Sequence, residues 1–291
     1  MTAEDVTPGS GTLYLVPTPI GNPRDISLRA IDVLGQAGII AAEDTRHAKS
    51  LLRPLGIETR LLSYHDHNEE SRTPQLLAAL QAGTDIALVS DAGTPMVNDP
   101  GYRIVTAAIE AGIRVCPLPG ASAALTALIG SGLPVHRFCY AGFLPRRSAA
   151  RQASVKQLKD LDATLIFFEA PHRLLETLHD LLEVLGDRPA ALARSLSKPS
   201  ESFERATLSE LISRLQSQPA VRGEYTVVVG GAGAATDADA QLLADRLTAV
   251  LLDNGASSRL TRDTVRELTG LPRNWVYDRV QEAAAERGKP S

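Results

Sequence analysis

Short apolar runs alternate with longer stretches of helical spacing through the first half of the chain. Runs near 12–17, 38–42, 60–64, 85–90 and 113–118 have the length of buried strands. Segments near 26–37, 46–54, 69–82 and 100–111 repeat apolar residues every three or four positions, as amphipathic helices do. Such alternation predicts an α/β fold with a parallel sheet. The second half is less regular. Strands are predicted near 137–142, 163–168, 189–195, 202–206 and 224–230, and helices near 148–159, 171–185 and 208–217, which points to a mixed sheet. The SGLP break at 131–134 separates a domain over 11–131 from one over 132–232, and 231–235 reads as a flexible linker. The tail, 237–291, is helical throughout, with Gly270 as a stop and Pro272 near the next start. It is helix-turn-helix-like, or else a helical hairpin packed on the body or on a partner subunit. Residues 1–10 are polar and expected to be disordered.

Candidate chemistry gathers where the strands end. Three first-half strands run into loops rich in Pro, Gly, Ser and Thr: PTPIGN (17–22), SDAGTPMVNDPG (90–101) and PGAS (119–122). In an open α/β sheet ligands sit at the carboxyl ends of strands, so the three loops could line one cleft. Gly93 removes the side chain that would block a close approach of backbone to ligand. Thr18, Pro19, Asp91, Ala92, Gly93, Thr94, Val97, Ser122 and Ala123 are the candidate cofactor contacts. None of the loops is GxGxxG or GxxxxGK[ST], which argues against a Rossmann dinucleotide site or a P-loop.

After the second strand come Glu43, Asp44, Arg46 and His47. Ionisable groups at the end of a buried strand are costly unless paired or open to a cleft. They are the candidate catalytic set, a carboxylate to accept a proton and two basic groups to position the substrate. The alternative is a helix N-terminus capped by Asp44 or Thr45, with Arg46 paired to an acid. His65, Asp66, His67 and Asn68 have metal-like spacing but no second cluster to support a metal; substrate or subunit contacts, or a solvated loop, account for them. Phe168, Glu169, His172 and Arg173 mark a strand-to-helix junction, with Pro171 suited to a first helical turn.

At 291 residues the chain can hold two α/β domains and a small third. Its net charge of −4 argues against a surface coated in positive potential. Between 136 and 159, however, six Arg and Lys residues stand without one acid. There Arg146, Arg147 and Arg151 are candidates to hold RNA phosphates, unless the segment is a solvated face neutralised by acids nearby in space. At 4% aromatic content, several base-stacking platforms are not expected. Cys116 and Cys139 lie in apolar strands and are expected to be buried free thiols in a reducing cytoplasm. Neither a signal peptide nor a membrane span is visible.

These motifs, together with AAEDTRH (41–47), YHDHNE (64–69), PLPGASAALTAL (117–128), RFCYAGFLP (137–145), TLIFFEAPHRLLETL (164–178) and GEYTVVVGG (223–231), resemble the tetrapyrrole-methylase family. More narrowly the chain resembles its ribosomal RNA branch, S-adenosylmethionine-dependent enzymes that methylate a cytidine ribose 2′-oxygen in small-subunit rRNA. The resemblance runs from Gly11 through nearly the whole chain. It implies a two-domain methylase fold with the cofactor cleft between the domains, plus a small C-terminal helical domain. It implies S-adenosyl-L-methionine as cofactor, no metal, Phe168, Tyr225 and Thr226 bordering the cofactor, and a homodimer. It further implies that the partner is 16S rRNA or the assembled small ribosomal subunit, with a decoding-region cytidine as target. One departure stands at ARSLS (193–197), where Ser195 occupies a place expected to be acidic. A tetrapyrrole C-methyltransferase shares the fold but needs neither the acid-free segment, AAEDTRH nor the helical tail. An RNA-binding assembly factor without turnover would not need intact cofactor loops.

Overall fold

The computed structural model describes residues 9–217, 220–233 and 237–287. Residues 1–8, expected to be disordered, 234 and 235 of the expected linker, and 288–291 of the expected helical tail lie outside the described residues.

The first sheet takes β1 (Thr12–Leu15), β2 (Ile39–Ala42), β3 (Leu61–Ser63), β4 (Ile86–Val89) and β5 (Arg114–Pro117), in the order β3-β2-β4-β1-β5. All its pairings are parallel. Helices α1 (Leu28–Gln36), α2 (Thr45–Leu52), α3 (Glu69–Gln81) and α4 (Tyr102–Glu110) connect the strands. Leu34 and Leu52 pack with Ile40 on one face of the sheet, and Leu76, Leu80 and Ile104 with Leu13 and Ile86 on the other. Covered on both sides, β4 is buried at every position, which is why it reads as an unbroken apolar run.

The second sheet is mixed, in the order β6-β7-β10-β8-β9. Its strands are β6 (Phe138–Phe143), β7 (Thr164–Glu169), β8 (Pro189–Arg194), β9 (Ser202–Thr207) and β10 (Tyr225–Val229). Only β6 and β7 pair in parallel. Helices α6 (Ser148–Lys156), α7 (Leu174–Leu185) and α8 (Leu208–Gln216) cover the face formed by Tyr225, Val227 and Val229. The opposite face, with Ile166, Ala191 and Val228, receives α5 (Ala123–Ser131). That helix follows β5 in sequence yet packs on the second sheet, so the two sheets are joined through it. Gly130 permits the approach: a Cβ there would fall 2.3 Å from the Phe203 ring.

The tail forms α9 (Asp237–Asp253), α10 (Ser258–Thr269) and α11 (Arg273–Arg287). Ala244, Val265, Leu271, Val276 and Val280 give it a core of its own. Gly270 ends α10 at φ +67°, the left-handed stop that its residue type predicts. One expectation changes: Cys116 and Cys139 are free but only half-buried. They sit on β5 and β6, which are edge strands.

Candidate functional site

The strand order makes β4, β1 and β5 neighbours, so their loops emerge side by side. Backbone hydrogen bonds of 2.9 Å in both directions join Thr18 to Gly93. The Thr18 hydroxyl donates to Ser90 O (3.1 Å), and that of Thr94 to Ala121 O (2.9 Å). The three loops are thereby fixed as one surface. Gly93 holds φ +86° within it, so any side chain there strains the backbone before it can reach a ligand.

Between this surface and the second sheet lies a cavity of about 420 Å³. Small-molecule sites commonly span roughly 300–1,000 Å³. Of the candidate cofactor residues, Ala92, Gly93, Thr94, Val97, Ser122 and Ala123 line it, and Phe168, Tyr225 and Thr226 close it from β7 and β10. Thr18 does not face it; it is buried beneath the loops as their tie. Pro19 and Asp91 line an adjoining cleft of about 400 Å³, together with His47, Ser50 and Lys198. The cavity wall also holds Ile20, Asn98, Asp99, Phe143, Ala170, Pro171, Leu196 and Glu224, none of them expected as a cofactor contact, while Glu169 lies on the edge that the resemblance sets beside the cleft. Asn98 and Asp99 belong to the loop already singled out, but nothing in linear order says which of its polar residues face inward.

That loop is strained. Met96 and Asn98 take φ +72° and +68°, unusual for residues with a Cβ, and Gly101 takes φ +140°. Asn98 Oδ1 accepts the Tyr140 hydroxyl from the second domain. Opposite it, β6 slips register against β7 between Tyr140 and Gly142. A Cβ on Gly142 would lie 2.9 Å from Asn98 Oδ1, so the bulge makes room for the contact. Burial, then the Asp99 charge, pushes the Tyr140 phenol up to about 12, which keeps it a hydrogen-bond donor.

The catalytic candidates divide. Asp44 caps α2: its side chain accepts Arg46 N–H (2.8 Å), and its carboxylate pairs with the Arg46 guanidinium (2.7 Å). These bonds from Arg46 hold the Asp44 carboxyl far below the ordinary range. Both members are thus occupied as the capped-helix alternative has it. His47 is exposed on the adjoining cleft. Glu43 has no ion pair among the described residues, and its carboxyl is pushed up by burial and then by Asp91. Asp99 is pushed up to about 6, by burial first and then by Glu43, Asp91 and Asp66, against a hydrogen bond with Ser90. The loops after β2, β3 and β4 therefore place their carboxylates within reach of one another beside the cavity.

In the second domain Glu169 is buried. It accepts Ala170 N–H (2.8 Å) and the Thr177 hydroxyl (2.5 Å) and lies 3.4 Å from Arg173. Ser195, where an acid was expected, is a buried turn residue at φ +49° whose N–H bonds Glu224 O. Arg146 and Arg147 are exposed at the start of α6. Arg151, the third candidate for RNA, is a correction. It is 1% exposed, and its Nε donates to Asp180 at 2.5 Å. The neutralising acid stands 29 residues further on, on α7, so the segment's lack of acids is a property of its sequence and not of its surroundings.

Residues 12–212 match the family model of tetrapyrrole (corrin/porphyrin) methylases. The chain is 61% identical over 282 residues to the ribosomal RNA small subunit methyltransferase I of Micromonospora olivasterospora, spanning 97% of this chain and 90% of that protein. It is 47% identical over 270 residues to the protein of the same name from Escherichia coli, spanning 92% of this chain and 93% of the other. Among solved structures, uroporphyrin-III-C-methyltransferase from Thermus thermophilus superposes with a TM-score of 0.52 at 26% identity, over 76% of this chain and 94% of that one. The chain belongs to the tetrapyrrole methylase family and, within it, to the ribosomal RNA small subunit methyltransferase I group.

Proposed function

We propose that this chain methylates the ribose 2′-oxygen of a cytidine in the decoding region of small-subunit (16S) rRNA, with S-adenosyl-L-methionine as donor. The observation that carries the reading is the loop-walled cavity, apolar over much of its surface, with Asp99 in its wall unpaired by any cation among the described residues. Its size suits a nucleoside-bearing cofactor. Ala92, Gly93, Thr94 and Val97 offer it backbone and small side chains, while Phe168, Tyr225 and Thr226 close over it. The α5 N-terminus at Ser122 and Ala123 presents free N–H groups that suit a carboxylate. When bound, the cofactor supplies an already activated methyl group, which leaves the chain to orient and deprotonate the acceptor.

Arg146 and Arg147 are assigned to rRNA phosphates, and His47, on the adjoining cleft, to the target nucleotide. Place of action is taken as the cytoplasm and assembly as a homodimer. Exposed apolar residues on α4 and α5, Tyr102 (74%) and Ile129 (75%), favour a covered face. The test uses purified protein and methyl-labelled cofactor with free 16S rRNA, small subunits and uroporphyrinogen. Label is expected on one cytidine 2′-oxygen of the rRNA, and label on uroporphyrinogen instead would establish the tetrapyrrole reading. Ala92→Phe, which fills the cavity from an exposed position, should weaken cofactor binding at least about tenfold by calorimetry, with Tm unchanged.

A further inference from the structure

We propose that Asp99 is the general base that takes the proton from the acceptor 2′-hydroxyl, with Asn98 and Tyr140 holding it in place. The proposal rests on the methyl-transfer reading above and names the group that reading leaves unassigned.

Geometry selects it among the strand-end carboxylates. Asp44 is tied to Arg46 and to the first turn of α2. Glu43 and Asp66 line no part of the cavity, and Asp91 lines the adjoining cleft. Asp99 alone of these faces the cavity, and the two other carboxylates in its wall, Glu169 and Glu224, are paired with Arg173 and Lys198. The backbone around it is set by Met96, Asn98 and Gly101 in left-handed conformations. Such strain persists only where surrounding contacts hold it, and the Asn98–Tyr140 hydrogen bond across the domains supplies one. Charged groups facing Asp99 are Glu43 from the β2 loop, Asp66 from the β3 loop and Asp91 from its own loop; Tyr140 faces it from β6. Among the described residues no cation pairs with it, and burial with the neighbouring carboxylates raises its proton affinity. A base works best with its pKa near the working pH, and this environment moves a carboxylate in that direction.

In the step, the Asp99 carboxylate accepts the hydroxyl proton as the ribose oxygen forms its bond to the methyl carbon. The carbon–sulfur bond breaks with its electron pair going to sulfur, and Asp99 returns the proton to solvent after the product leaves. The carboxylate and sulfonium charges cancel in the step, the carboxylate is restored when its proton leaves, and no further reactant is needed.

The experiment compares wild type, Asp99→Asn and Asp99→Glu. Single-turnover transfer to small-subunit rRNA should fall about 10²–10⁴-fold in Asp99→Asn and recover in part in Asp99→Glu. Cofactor affinity by calorimetry should stay within about threefold. Thermal stability supplies a readout independent of turnover. A carboxyl with a raised folded-state pKa costs stability as pH rises from the ordinary aspartate range through about 6. Asp99→Asn should therefore melt above wild type at pH 8, with the gain gone near pH 4. A structural aspartate would lower Tm at pH 8, and that result overturns the proposal. So does Asp99→Asn turning over within threefold of wild type. Wild type that transfers no methyl to rRNA defeats the underlying reading and this proposal with it, whereas a defect confined to the variant leaves the reading intact.

Discussion

The two domains treat their carboxylates in opposite ways. In the second, Glu169 and Asp180 are buried and fully engaged: Glu169 by Ala170, Thr177 and Arg173, Asp180 by Ser148, Arg151 and Gln152. In the first, burial and neighbouring carboxylates raise the proton affinity of Glu43 and Asp99, and neither these two nor the nearby Asp66 and Asp91 form an ion pair among the described residues. Paired carboxylates hold a helix to the sheet, as Glu169 does, or to another helix, as Asp180 does. Clustered, unpaired ones cost stability and are kept only where charge is wanted, which is how active sites differ from frameworks.

The sharpest break in this contrast is at Arg151. Arg151→Met should leave the Asp180 charge buried without its cation and cost about 3–5 kcal/mol in urea unfolding. Burial pushes the Asp180 carboxyl up, but hydrogen bonds from Gln152, Ser148 and Arg151 outweigh it and hold it low. Its contribution is therefore present above the ordinary aspartate pKa and lost as pH falls through the depressed folded value. A cost below about 1 kcal/mol at pH 7 would mean that Ser148 and Gln152 suffice for Asp180.

This pair also shows where the sequence stops being legible. Periodicity located the elements closely because burial repeats with the backbone: β4 is apolar throughout, and β10 alternates faces from Tyr225 to Val229. Where ends moved, turn chemistry moved them. The helix expected from 171 begins at Leu174, since Arg173 N–H and Leu174 N–H bond back to Ala170 and Pro171 in a separate turn. Much of the cavity wall was legible because loops after neighbouring strands must meet. Arg151 was not, because its partner is 29 residues away, and charge along a sequence says nothing of charge across a fold. Asp99 was not, because a polar residue in a polar loop carries no sign of which way it points.

Asp44 is an exception near the cluster, an acid with a cation and a cap to serve. Asp44→Ala should lower Tm by about 2 °C through loss of the α2 cap, while cofactor affinity holds. A large loss of single-turnover rate with unchanged Tm would instead return it to the catalytic set. Glu43→Gln should act in the opposite direction. Removing one of the mutually repelling charges should raise Tm by about a degree at pH 8 and by much less near pH 4, where most of the Glu43 charge is already lost in both states. A drop in Tm at pH 8 would show that Glu43 has a partner worth more than the repulsion, and the contrast between the domains would weaken accordingly.

The smallest effect on stability, and the finest division, falls within the basic segment itself. Arg146 and Arg147 are exposed, whereas Arg151, four residues on from Arg147, is locked to α7 and also donates to Arg146 O at 3.2 Å. Replacing the exposed pair with Ala should leave Tm within about a degree, since surface substitutions away from such networks change stability little. It should weaken rRNA binding and flatten the slope of log affinity against log salt by roughly 1.4 on single-stranded RNA, the release expected for two phosphates. Cofactor affinity should not move. Including Arg151 would confound the measurement, because its loss acts through folding and would weaken every ligand together. If the double variant keeps both the affinity and the salt slope of wild type, the rRNA track lies elsewhere, and the basic segment splits instead into one structural arginine and a solvated face.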